Sequence, residues 1–285
     1  ARVLLVDRRD LPGVLRRAAS RGAPAGAIEP LGLDLSDLAA VDRCVADLAR
    51  RGLGIDRLVL NAAIVPTAAR TTPQGLDEML VVNYLSSFAL VTGFLASGVL
   101  PRDRARGDVP RVVFVASESH RWSDDLVLDR LDAPRDGSAR RVLGWYGTYK
   151  LMLATFAWEL ARRLQEGGVP QVGVFALCPG AMRTSIAREA PVVLRAPLDV
   201  LMRLLFQDPF AADEPVLHLA CSRAVEGRTA VYLHKMAEKG VDRRAADPET
   251  GRALWEASEA LLARVRGDPP TRQAAGPRGG LSFPR

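Results

Sequence analysis

Tyr146 and Lys150, in the stretch Trp145-Tyr146-Gly147-Thr148-Tyr149-Lys150, combine residue types and a spacing suited to moving a proton. Residues at i and i+4 share one helix face, and the pair opens a strongly helical segment. A fixed ammonium beside a phenol favours phenolate, so the lysine is expected to lower the tyrosine pKa. A phenol tuned in this way can act as a general acid or base near neutral pH. Surface helices often contain this pattern by chance. Its weight here comes from other polar residues at regular places along the chain.

Those residues need elements to hold them. Arg2 to Val6 reads as a buried strand ending at Asp7, and Leu11 to Ser20 as a helix. Ile28 to Leu35 forms a second strand, after which Ser36 caps a helix over Asp37 to Arg50. Leu38, Val41, Val45 and Leu48 give that helix an apolar face. Arg57 to Asn61 and Arg111 to Ala116 are short apolar strands, as expected in a parallel sheet covered on both faces. A long helix spans about Leu76 to Ser97. The Tyr146 helix runs to about Gln165 and is ended by Gly167-Gly168; Gln171 to Leu177 follows as a strand. Leu217 to Ala220 lies in a helix, Thr229 to Leu233 in a last strand, and Glu249 to Arg264 in a final helix. This alternation predicts an α/β fold: a doubly wound, Rossmann-like parallel sheet in three layers. It forms a single domain over residues 1–266, with a disordered tail over 267–285. Residues 186–215, apolar but interrupted by Pro191, Pro197, Pro209 and Pro215, read either as a substrate lid or as an exterior helix packed on the domain.

Composition sets the broad class. The chain has 285 residues, 48% hydrophobic and 25% charged, enough for an ordinary globular core. Its net charge of +6 comes from scattered arginines without a run of five basic residues, so a solvated basic surface is expected rather than nucleic-acid binding. Cys44, Cys178 and Cys221 lack C-x-x-C spacing, and His120, His218 and His234 are isolated, so neither a metal site nor a disulfide framework is expected. The cysteines suit a reducing cytoplasm. No apolar run reaches the roughly 18 residues that span a bilayer, so stable membrane insertion is not expected.

Polar residues recur at the carboxyl ends of the strands, where open α/β sheets bind ligands. Asp7, Asp34, Asn61, Ser117 and Pro179-Gly180 all lie there. In these features the chain resembles the short-chain dehydrogenase/reductase family over about residues 1 to 264. Asn61-Ala62-Ala63 resembles the family's N-N-A-G, with Leu60 and Ala63 departing at its first and last positions. Asn83-Tyr84 resembles the catalytic asparagine site, and Val115-Ala116-Ser117 the strand end that carries the catalytic serine. Tyr146 and Lys150 match Y-x-x-x-K, and Pro179-Gly180-Ala181-Met182-Arg183-Thr184 matches P-G-x-x-x-T. The segment from Asp247-Pro248-Glu249 through Leu254-Trp255-Glu256 to Ser258-Glu259 is similar to the end of retinol-dehydrogenase-like members. So is the 28-residue spacing, 118 to 145, between serine and tyrosine.

The resemblance implies an NAD(P)-dependent oxidoreductase that interconverts an alcohol and a carbonyl on a small, hydrophobic substrate. Tyr146 would be the general acid/base. Lys150 would lower its pKa and hold the nicotinamide ribose. Ser117 would orient the substrate oxygen, and Asn83 would hold a water in the proton relay. The cofactor would carry the hydride while the protein supplies orientation and a matched proton donor. Other roles stay open: Ser119 as the working serine, Ser117 as a turn cap, Asn83 as a helix-bending residue, Tyr149 as a competitor, and Thr184 as either a nicotinamide contact or a helix start. Family members are often homodimers or homotetramers.

Cofactor contacts are expected from Asp7, Arg8, Asp34, Leu35, Asn61, Ala62, Ala63, Tyr146, Lys150, Pro179, Gly180 and Thr184. Asp7 can bond both adenosine ribose hydroxyls and repel a 2′-phosphate, which leans toward NAD. Arg8 and Arg9 could instead cradle that phosphate of NADP. Asp34-Leu35 resembles the adenine contact. The glycine-rich loop that cradles a pyrophosphate at a helix N-terminus does not precede Asp7. The first strand here resembles the family's second, so the missing strand, loop and helix are expected upstream of Ala1, and the sheet is expected to be split where that strand belongs. The alternative is a degenerate member without redox activity that serves as a binding or assembly scaffold.

Overall fold

The computed structural model describes residues 2–8, 10–66, 68–101, 109–129, 131–132, 139–166, 169–180 and 213–267. The stretch read as a lid lies outside these residues except for 213–215. Thr184, Arg9 and the tail beyond Gly267 lie outside them as well.

Helices alternate with strands in the expected order. They are β1 (Val3–Asp7), α1 (Leu11–Ser20), β2 (Ile28–Gly32), α2 (Leu38–Arg50), β3 (Arg57–Leu60), α3 (Glu78–Leu80), a π-helical turn (Val81–Leu85), α4 (Ser86–Ser97) and β4 (Arg111–Val115). A 3-10 helix (Glu118–Trp122), α5 (Ala139–Arg163), the small hairpin strands β5 (Gln165–Glu166) and β6 (Val169–Pro170), and β7 (Gly173–Cys178) follow. The chain continues with α6 (Asp213–Cys221), β8 (Val231–His234), β9 (Ala237–Glu238), α7 (Arg243–Ala246) and α8 (Pro248–Arg266).

The main sheet has the order β3-β4-β7-β8-β9, parallel except for the final β8–β9 pair. Its centre is buried on both faces by strict alternation. Val112, Phe114, Val174 and Ala176 join the larger core with α4, α5 and α8, while Val113, Val115, Phe175 and Leu177 pack with Leu219, Val231 and Leu233. Successive strand residues point to opposite faces, so a helix layer on each side buries every residue of β4 and β7, all of them apolar except Arg111. Phe88, Phe156 and Trp255 interlock in the larger core at 4.9–5.7 Å between ring centroids. Arg163 stacks over Trp255 at 4.1 Å.

β1 and β2 stand apart as a two-stranded parallel sheet. The expected split is therefore present between β1 and β3. β3 departs from the buried strand that the sequence suggested: Val59 is 39% exposed, as are Val3 and Val6 of β1 at 47% and 43%. Each of these strands has a ladder partner on one side only among the described residues.

Several boundaries moved for local reasons. Asp37, not Ser36, caps α2, accepting from Ala39 N at 3.0 Å, because the Ser36 hydroxyl is already donating to Asp34 at 2.7 Å. α5 begins at Ala139, so Tyr146 sits about two turns inside the helix rather than at its start. The helix ends at Arg163, before Gly167-Gly168. The expectation about apolar runs also needs correction. Residues Glu78–Ala96 form one helical segment long and apolar enough to cross a membrane, but 83% of its apolar window is buried inside this fold, as in a core helix.

Candidate active site

The serine, tyrosine and lysine come from two neighbouring elements. Ser117 ends β4 in extended backbone and caps the 3-10 helix, its hydroxyl accepting from Ser119 N at 3.3 Å. α5 crosses this turn closely enough that a Cβ on Gly147 would stand 2.8 Å from the Ser119 carbonyl oxygen. That approach sets Tyr146 against Ser117, near enough for the serine hydroxyl to favour the phenolate form. Tyr146 remains partly exposed, so its phenol is at the edge of the core rather than inside it. One helical turn on, Lys150 is 2% exposed, with Nζ 5.7 Å from the Tyr146 ring centroid and donating to the Val115 carbonyl at 2.7 Å.

The electrostatics correct one expectation. Burial raises the Tyr146 pKa above the usual phenol value, although the Ser117 hydroxyl pulls it down. Burial also lowers Lys150 to about 8. Desolvation acts on both groups, and the ammonium spends its hydrogen bond on a carbonyl rather than on the phenol. The hydroxyl pair, not the lysine, is what favours phenolate in this arrangement.

The other candidate residues sit in distinct surroundings. The Ser119 hydroxyl is buried with no hydrogen-bond partner among the described residues. Tyr149 is fully buried, and its hydroxyl donates to Asp77 at 3.2 Å. Asn83 sits inside the π-helical turn, where its amide grips the loop after β3: Ile64 N donates to Oδ1 at 2.8 Å, and Nδ2 donates to the Ile64 carbonyl at 2.9 Å. Its side chain thus positions the segment that follows Asn61, Ala62 and Ala63, all of which are exposed. A π turn leaves carbonyls outside the regular helical ladder, and such turns are frequent at functional sites.

At the outer end of the site, Arg8 lies 3.4 Å from Asp34 and 3.6 Å from Glu78, and Arg70 also pairs with Glu78. Asp34 accepts from Ser36 and is held below the usual carboxylate range, because those hydrogen bonds and Arg8 outweigh the opposing effect of burial. Leu35, next to it, packs on the main core. Asp7 accepts from Asp10 N at 3.1 Å. Pro179 is buried, and Gly180 holds a φ of +94° that favours glycine, turning the chain after β7.

A dinucleotide fits these residues in part. The partly exposed Tyr146, with Lys150 and Gly180, suits a nicotinamide riboside, and Asp7, Asp34 and Arg8 suit an adenosine. Between β1 and α1 the chain runs Asp7-Arg8-Arg9-Asp10 without glycine, and no described residue forms a pyrophosphate cradle.

Sequence reasoning missed Glu118 and His120. The Glu118 carboxylate accepts from Tyr232 at 2.8 Å, from Lys239, and from Arg121 at 3.2 Å. Burial works against it, but these partners hold Glu118 at about 2. Only their place directly after Ser117 could have drawn attention to them, since Tyr232, Lys239 and Asp242 lie more than 110 residues away.

No family model matches the chain. Among known proteins it is 32% identical to polyprenol dehydrogenase of Mus musculus over 241 residues, covering 84% of this chain and 69% of that protein. It is 30% identical to retinol dehydrogenase 13 of Mus musculus over 244 residues, covering 83% and 69%. Among solved structures, the RhlG/NADP active-site complex of Pseudomonas aeruginosa superposes with a TM-score of 0.58 at 21% identity, covering 82% of this chain and 84% of the other.

Proposed function

The chain belongs to the short-chain dehydrogenase/reductase family, in its retinol-dehydrogenase-like branch, and from that premise we propose that it is an NAD(P)-dependent oxidoreductase in which Tyr146 moves the proton between an alcohol and a carbonyl. The observation that carries this reading is the gathering of Ser117, the partly exposed Tyr146 and buried Lys150, whose Nζ lies 5.7 Å from the Tyr146 ring. In the reducing direction Tyr146 Oη gives its proton to the carbonyl oxygen, and in the oxidising direction it takes one from the alcohol. Ser117 shares a hydrogen bond with the same substrate oxygen and replenishes the phenol's network. Lys150 supplies positive charge next to the phenol and a donor for a ribose hydroxyl. Asn83 acts through the loop it grips. When bound, the nicotinamide supplies or accepts the hydride.

The substrate proposed is a hydrophobic primary or secondary alcohol, or its carbonyl partner, in keeping with relatives named for retinol and polyprenol. NAD is the preferred cofactor in this reading. Asp7 stands at the end of β1, and the Arg8 guanidinium is already engaged by Asp34 and Glu78 rather than turned to a 2′-phosphate. Cytoplasmic residence is proposed from three unpaired cysteines, with cell fractionation as its check. A homodimer or homotetramer is also proposed, to be read from the solution mass.

Tyr146→Phe is expected to lower kcat by about 10²–10⁴-fold without changing the thermal midpoint; wild-type turnover would refute the role. The second reading is a binding scaffold without redox activity. Titration of NADH and NADPH decides between them: saturable binding supports the enzyme, and no binding of either supports the scaffold.

A further inference from the structure

His120 is fully buried, and both of its ring nitrogens are used. Nδ1 lies 2.5 Å from the Ser117 carbonyl oxygen. Nε2 lies 3.3 Å from the backbone nitrogen of Asp242, at the start of α7. A backbone N–H can only donate, so Nε2 must be the bare nitrogen, and the proton must sit on Nδ1 and point at Ser117. The same carbonyl also accepts from His120 N at 3.2 Å, so the serine's peptide is held by two donors.

The ring is clamped in turn. It meets Tyr232 edge to face at 5.4 Å. The His120 carbonyl accepts from Ser123 Oγ at 3.0 Å and from Arg244 at 3.1 Å, and Arg244 also reaches the Ser123 carbonyl at 2.6 Å and Asp242 at 3.0 Å. Burial keeps the imidazole toward its neutral form. A structural histidine needs partners, but not the carbonyl of the residue whose hydroxyl meets the proposed acid.

We infer that His120 is a positioning residue for Ser117: its Nδ1–H fixes the serine's peptide, while Nε2 ties that peptide to the N-terminus of α7. The orientation of the serine hydroxyl toward Tyr146 then depends on a segment more than 110 residues later in the chain. This inference rests on the role proposed for Ser117 and predicts behaviour that a filler of core volume would not show.

Two amide replacements separate the two nitrogens. His120→Asn places an N–H near Nδ1 and loses the reach to Asp242, whereas His120→Gln reaches toward Nε2 and loses the bond to Ser117. His120→Phe keeps ring volume and loses both. With decanal and NADH or NADPH as probes, Asn is expected to keep kcat within about 3-fold, while Gln and Phe lose about 10-fold or more. The KM for the nucleotide should change little in all three. In a Ser117→Ala background, His120→Phe should cost no further kcat, because the two residues act as one unit. Equal losses in Asn and Gln, losses that follow the thermal midpoint, or additive losses in the double variant would overturn the inference. Ser117→Ala with wild-type kcat would sink the catalytic reading itself, a separate failure.

One readout needs no turnover. Side-chain nitrogen NMR of histidine-labelled protein at pH 8 should show His120 as the Nδ1–H tautomer, the minor form in free histidine. An Nε2–H signal would overturn the proposal whatever the kinetics.

Discussion

The main sheet and the β1–β2 sheet are built differently. In β4 and β7 every residue is buried, and alternate side chains feed two separate cores. In β1 and β2 no residue reaches full burial, valines face solvent, and ion pairs such as Arg2–Glu29 and Arg51–Glu29 decorate the surface. The first arrangement holds side chains by close packing, which transmits small displacements. The second holds them by exposed charge pairs of low individual worth. The groups proposed for proton transfer rest on the packed sheet, and the adenosine contacts rest on the other. Chemistry should therefore be sensitive to the core, while the β1–β2 fragment should tolerate change.

After Tyr146, the largest effect should come from Lys150. Lys150→Met is expected to cut kcat/KM by about 10²-fold or more. In the wild-type enzyme, the ammonium that titrates at about 8 makes kcat/KM fall as pH rises through that value. Stability should move the other way. The folded pKa lies below the ordinary lysine value, so the folded state binds fewer protons and stability rises with pH between about 8 and the unfolded value. A pH–rate profile and a pH series of urea melts test both signs.

Leu177→Ala, in the fully buried centre of β7, should cost about 2–5 kcal/mol in chemical denaturation. Gly147→Ala comes next. Its new Cβ meets the Ser119 carbonyl, so the helix or the serine turn must shift, costing about 1–3 kcal/mol. Its kcat should fall by more than that of Leu177→Ala, because the displacement lies between Ser117 and Tyr146. The smallest effect is expected from Val6→Thr, within about 0.5 kcal/mol, since Val6 already faces water. A Val6 cost as large as that of Leu177 would erase the contrast.

The sequence was most legible where function depends on local spacing. Tyr146 and Lys150 share a helix face, Ser117 ends an apolar strand, and the structure gathers all three. It was least legible where partners are distant. Nothing near Asn83 announces Ile64, and nothing near His120 announces Asp242. The pKa of Tyr146 was misjudged because a four-residue spacing says nothing of burial or of the carbonyl that occupies the lysine. The split sheet was foreseen from strand order. The exposure of Val59 was not, since an apolar run reads the same in an edge strand as in a central one.

Tyr146-dependent hydride transfer is best tested with nicotinamide nucleotide carrying deuterium at C4, supplied with a panel of hydrophobic aldehydes and ketones. Deuterium is expected on the carbinol carbon of the product with the wild-type chain and nearly none with Tyr146→Phe. No transfer by the wild type, or equal transfer by both proteins, would contradict Tyr146-dependent transfer.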